Sequence, residues 1–202
     1  VMLTNKVRVS FEVYPPRDQN SGESLESSIA ELAKLDPTFI SVTFGAGGSS
    51  TKNSLAVLKF ILQNTPASAL AHLTCVGHSF LETKALVNQF MDEGIRDFLA
   101  LRGDPQPGMP AEPKGELKSA SELVQLISQV HKERGNSRSD LNVAVATFPN
   151  GHPDSDSITQ DIQALLAKQN AGADYAITQL FFFASDYVAF VEQARKAGVT
   201  IP

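Results

Sequence analysis

One cysteine, Cys75, occurs in 202 residues, so no intrachain disulfide can form and a zinc site built from several cysteines is excluded. Neither a His-x-His nor a Glu-x-x-His pattern occurs, which leaves no sequence support for a metal centre. No apolar run reaches membrane-spanning length, and the first residues lack the basic segment, apolar core and small-residue cleavage site of a secretory leader. No membrane partner is expected, and a cytoplasmic location is. Positive charge is also scarce: 17 Lys and Arg stand against 22 Asp and Glu, a net charge of -5 with no electrostatic footprint for nucleic acid. A small anionic ligand stays possible, because a local nest or a single basic group suffices to bind it.

What is present fits a globular chain, with 42% hydrophobic and 19% charged residues. The whole chain, 1–202, reads as a single α/β domain. Its organising stretch is Phe98-Leu99-Ala100-Leu101-Arg102-Gly103-Asp104-Pro105. The apolar run suits a buried parallel strand, and the two charges belong at its carboxyl end, where α/β folds hold their ligands. Gly103 permits a close backbone approach or a backbone angle that other residues resist. An ordinary strand-to-loop turn with a structural Arg102 and Asp104 ion pair reads as well from this stretch taken by itself.

The same unit repeats along the chain. Strands are expected over 7–13, 38–44, 69–75, 98–101, 141–148 and 175–183. Between them run helical patterns: Leu25, Ile29, Leu32 and Leu35 after capping serines; Leu55, Leu58, Ile61 and Leu62; Leu86, Val87, Phe90 and Met91; Leu123, Leu126, Ile127 and Val130; and Ile158, Ile162, Leu165 and Leu166. A last helix carries Tyr187, Val188 and Val191. The glycine-rich loop 45–50 follows the second strand but has neither dinucleotide nor P-loop spacing. The long loop 105–115 reads as a functional surface loop.

Glu93-Gly94-Ile95, Ala171-Gly172-Ala173 and Ala197-Gly198-Val199 echo one another at helix exits, so a seventh strand is expected to begin near residue 199. Repeats at roughly thirty-residue intervals match most of a (β/α)8 TIM barrel of about 250 residues, truncated after about six βα units. An open doubly wound sheet is the alternative. On this plan Glu12, Thr43, His72, Arg102, Asp104, His152 and Gln179 collect at strand ends, and the parity of Glu12 opposes it to Val9, Phe11 and Val13.

Five ordered motifs then carry a resemblance. Ser10-Phe11-Glu12-Val13-Tyr14-Pro15-Pro16-Arg17, Ser41-Val42-Thr43-Phe44-Gly45-Ala46-Gly47-Gly48-Ser49, Ala71-His72-Leu73-Thr74-Cys75, Leu101-Arg102-Gly103-Asp104 and Ala176-Ile177-Thr178-Gln179-Leu180-Phe181-Phe182-Phe183 resemble the methylenetetrahydrofolate reductase family. The resemblance implies a (β/α)8 barrel that holds FAD, takes hydride from NADH or NADPH, and reduces 5,10-methylenetetrahydrofolate to 5-methyltetrahydrofolate. It implies Glu12 as general acid, Asp104 as electrostatic stabiliser beside flavin and pterin, and Gln179 as a folate contact. Thr43, His72, Arg102, Gly103, Asp104, Ala146, His152, Asp161 and Lys168 stand where the family contacts FAD. Phe148, Ala164 and Ala167 depart from the family's usual tyrosine, asparagine and arginine. A homo-oligomer is compatible with this reading. The competing readings are a non-catalytic folate- or nucleotide-binding barrel fragment and a flavin-independent one-carbon enzyme.

Overall fold

A computed structural model describes residues 7–16, 19–44, 51–103 and 116–202. Strands and helices alternate: β1 (Phe11–Val13), α1 (Gln19–Ala33), β2 (Phe39–Val42), α2 (Thr51–Asn64), β3 (Ser68–Thr74), α3 (Phe80–Asp92), β4 (Asp97–Leu101), α4 (Ala120–Glu133), β5 (Asn142–Thr147), α5 (Ile158–Asn170), β6 (Tyr175–Thr178) and α6 (Ala184–Lys196). β3 is buried without interruption from Ala69 to Leu73, and β4 from Phe98 to Ala100, as expected of strands covered on both faces. The strand order is β1-β2-β3-β4-β5-β6 in one six-stranded sheet. β1 with β2, β2 with β3, and β5 with β6 pair in parallel. That order never reverses, whereas a doubly wound sheet has a switch point where it must.

The chain divides into two compact units, one of residues 1–72 with 92–97 and the other of residues 73–91 with 98–202. In the first, Ile29 of α1 and Leu55, Leu58 and Ile61 of α2 are buried, the 3.6-residue spacing having placed them on inward helix faces. In the second, α4 buries Leu123, Val124, Leu126, Ile127 and Val130. Its start is fixed by a reciprocal capping box: Ser119 Oγ accepts from Glu122 N–H at 3.3 Å, and the Glu122 carboxylate accepts from Ser119 N–H at 3.1 Å.

Several boundaries move from their sequence expectations. β1 is limited to Phe11–Val13, and Val7 is 82% exposed. β6 stops at Thr178 because its partner β5 ends at Thr147, two residues before Pro149, so later residues find no ladder beyond the bond from Gln179 N–H to the Thr147 carbonyl. Leu180, Phe182 and Phe183 are accordingly exposed rather than in a strand. α1 ends at Ala33, Asp36 turns the chain with φ 53°, and Leu35 is left outside the helical face. The helix begins at Gln19, so the serines before Leu25, expected to cap it, lie within it.

Gly94, Gly172 and Gly198, the three echoed helix exits, all take positive φ. After the last of them, Ala176 N–H donates to the Pro202 carbonyl at 2.8 Å, so residue 202 meets the edge of β6. The glycine-rich loop 45–50, the loop 105–115 and Asp104 lie outside the described residues.

Candidate functional site

In the first unit the parallel register decides which side chains share a face. Glu12 pairs with Ser41, and Ser41 with Leu70. Because alternate residues of a strand point to the same side, one step onward puts Thr43 and His72 on the Glu12 face. Phe11, Val13, Ile40, Val42, Ala69 and Ala71 occupy the other face. The parity expected for Glu12 is the one observed.

Thr43 follows β2, its N–H donating to the Val13 carbonyl at 3.1 Å and its own carbonyl accepting from Ser54 Oγ of α2 at 3.0 Å. Its backbone is thus tied on both sides. Its hydroxyl is not: Thr43 Oγ1 and His72 Nε2 are both buried and have no hydrogen-bond partner among the described residues. A buried polar atom left in that state costs about 1–3 kcal/mol, which a ligand offering matching polar edges recovers. Burial pushes the His72 imidazole down to about 4, so at neutral pH it is uncharged, with one ring nitrogen donating and the other accepting. Desolvation also raises the Glu12 carboxyl above its ordinary value, although the side chain keeps access to solvent. These three groups can together offer hydrogen bonds and a proton to a polar molecule.

In the second unit the end of β4 is built tightly. The Arg102 carbonyl accepts from Cys75 N–H at 3.2 Å and from Val76 N–H at 2.9 Å. Gly103 follows with φ +88°, and a Cβ there would lie 2.5 Å from Val76 Cγ1 and 2.9 Å from Thr74 Cβ. Both expectations for this glycine, close approach and a left-handed angle, are met at once. From that rigid base the Arg102 guanidinium reaches Asp154 Oδ2 at 2.8 Å.

The loop after β5 carries the remaining groups. Asp161, in the first turn of α5, is buried and accepts from His152 N–H at 3.0 Å and from Ser155 Oγ at 2.6 Å, so its two oxygens clamp the loop over residues 152–155. His152 Nδ1 in turn accepts from Asp154 N–H at 3.0 Å, and its ring meets that of Phe148 edge-on with centroids 4.5 Å apart. Lys168 Nζ donates to the Ala146 carbonyl at 2.8 Å. Burial lowers its pKa, the Asp161 charge opposes that, and the Arg102 charge adds to it. Gln179 is exposed beyond β6, its Oε1 accepting from Leu180 N–H at 2.9 Å.

The second unit therefore gathers Arg102, Gly103, Ala146, His152, Asp161 and Lys168, while Glu12, Thr43 and His72 share a face in the first. Asp154 and Ser155 escaped the sequence reading, because a pairing across 52 residues and a bond made only when the loop folds back leave no local signature. Among the described residues no three His, Cys, Asp or Glu side chains cluster as a metal site. No described helix is long and apolar enough to cross a membrane.

Successive parallel strands in chain order, each followed by a helix and with polar groups at their carboxyl ends, define an α/β protein of the kind that holds small ligands at strand termini. Solved structures share this backbone: that of 2,3-dimethylmalate lyase matches with a TM-score of 0.64 and 11% identity, over 96% of this chain and 65% of that one. Phosphonopyruvate hydrolase, solved with oxalate and magnesium, matches with 0.66 and 12%, over 97% and 65%.

The chain belongs to the methylenetetrahydrofolate reductase family, whose model matches residues 2–202. It is 35% identical to 5,10-methylenetetrahydrofolate reductase of Escherichia coli (strain K12), over 98% of this chain and 63% of that protein. Methylenetetrahydrofolate reductase 1 of Schizosaccharomyces pombe is 31% identical over 98% of this chain and 32% of its own length. The chain thus spans a little under two thirds of the bacterial relative.

Proposed function

We propose that this chain supplies the greater part of a closed (β/α)8 catalytic barrel of a cytoplasmic enzyme that reduces 5,10-methylenetetrahydrofolate to 5-methyltetrahydrofolate with NADH or NADPH. The observation that carries the reading is the pair of buried atoms Thr43 Oγ1 and His72 Nε2 on the Glu12 face, without partners among the described residues, in a chain of this family. Both are the complement that a heterocycle with donor and acceptor edges requires, and they fit FAD, the flavin expected from the resemblance. When bound, FAD supplies a hydride carrier between nicotinamide and folate.

Thr43, His72, Arg102, Gly103, Asp104 and His152 contact this cofactor in the proposed arrangement. Ala146, Asp161 and Lys168 form the pinned frame around it, since Lys168 is bonded to the Ala146 carbonyl and Asp161 to the loop over residues 152–155. His72 serves as a neutral hydrogen-bonding group. Its depressed pKa keeps the ring uncharged.

Glu12 acts as the general acid. Its raised pKa favours a protonated carboxyl that delivers a proton to N5 of the folate, opening the five-membered ring to an iminium that accepts hydride. Asp104 favours the cationic species by its charge, and the Gln179 amide, able to donate and accept, orients the pterin.

Glu12→Gln tests the assignment, with the two half-reactions followed separately in an anaerobic stopped-flow spectrometer. Bleaching of the flavin absorption by nicotinamide should persist, while reoxidation by the folate should be lost. Equal loss of both would contradict this role for Glu12, and a protein that stays colourless with added FAD would contradict the cofactor.

A further inference from the structure

The contact between Arg102 and Asp154 joins two side chains whose backbones are fixed independently. Arg102 is anchored through its carbonyl to Cys75 and Val76 and is followed by the tightly packed Gly103. Asp154 sits between His152 and Ser155, both held by the buried Asp161 carboxylate, and its own N–H is held by His152 Nδ1. Its side chain is 64% exposed, and the bond to Arg102 is the hydrogen bond seen for its carboxylate among the described residues. The carboxylate can therefore rotate away without disturbing the loop. Two cations favour an anion once it leaves, since Arg102 lies near enough to Lys168 to depress its pKa; the Asp161 carboxylate opposes them in part, its two oxygens turned toward the His152 N–H and the Ser155 hydroxyl.

We propose that Asp154 is a specificity-determining residue that occupies the Arg102 guanidinium as a stand-in for phosphate and must be displaced when a phosphate-bearing nucleotide binds. The contest selects for ligands that carry an anionic group strong enough to win the guanidinium, and a ligand lacking phosphate gains nothing from it. A diphosphate diester, with two negative charges over its two phosphates and oxygens placed for bidentate bonding, outcompetes a single exposed carboxylate held by one hydrogen bond. The proposal rests on the reading that Arg102 contacts a nucleotide cofactor. It adds that the resting site is already neutralised from within the chain.

The test is equilibrium titration of the full chain and of Asp154→Asn and Asp154→Glu with FAD, NADH, riboflavin and inorganic pyrophosphate. Asp154→Asn should bind the phosphate-bearing ligands roughly threefold to tenfold more tightly, the scale of releasing one exposed ion pair and one repulsive charge. The gain should shrink at high salt. Asp154→Glu should resemble the parent, riboflavin should show no gain, and whichever of FAD and NADH shows it identifies the source of the phosphate. In an Arg102→Gln background the effect of Asp154→Asn should vanish, which a merely structural role for Asp154 would not produce.

Unchanged or weaker binding of every phosphate-bearing ligand by Asp154→Asn overturns the proposal even if FAD binds tightly, and the cofactor assignment then stands without it. If FAD does not bind but NADH shows the gain, the proposal stands and the FAD assignment falls; a gain for pyrophosphate alone, with neither nucleotide bound, overturns both.

Discussion

Acidifying the protein from about pH 7 to about pH 4.5 should remove roughly 2–3 kcal/mol of folding stability through His72 alone. In the unfolded chain this imidazole titrates at its ordinary value of 6.5, whereas burial lowers it to about 4 in the folded protein. Between those values the unfolded chain binds a proton that the native state does not, so the contribution of His72 is intact above the upper value and lost as pH falls toward the lower one. A separation of about 2.5 pH units corresponds to a full loss of roughly 3 kcal/mol, most of it reached by pH 4.5. The assay is urea unfolding of the parent and of His72→Gln at both pH values, where the difference between the two losses removes the contribution of every other titrating group. Gln keeps a polar side chain at the site but has no proton to gain, so His72→Gln should lose less stability on acidification. Equal losses in the two proteins, or an imidazole NMR titration centred near 6.5, would refute the burial argument.

Three further outcomes follow from the geometry. Gly103→Ala should cost about 2–4 kcal/mol, because its Cβ overlaps Val76 and Thr74 and its φ of +88° is unfavourable for alanine; a urea midpoint within error of the parent would show that the loop relaxes freely. Asp161→Ala strands the His152 N–H and should lower stability by about 1–3 kcal/mol while accelerating hydrogen exchange at that amide, and unchanged exchange would mean the loop is held by something else. Ser119→Ala removes half of the α4 capping box and should cost about 0.5–2 kcal/mol by thermal or urea unfolding, an effect absent if the Glu122 contacts alone hold the turn.

The order of elements was legible in the chain because periodicity and punctuation are local properties. The positive φ at Gly94, Gly172 and Gly198 and the parity of Glu12 followed from residue type and spacing. Strand ends were less legible, since Leu180 to Phe183 look as apolar as a strand and fail to be one only because β5 stops before Pro149. The family could be read from the sequence because its motifs are contiguous.

What tertiary structure alone decided is the state of each polar group. Burial leaves Thr43 Oγ1 and His72 Nε2 without partners among the described residues, a loop folded over Asp161 turns that carboxylate inward, and Arg102 finds Asp154 from 52 residues away. Desolvation and hydrogen-bond satisfaction depend on which atoms surround a group in space, and no local pattern of residue types encodes that.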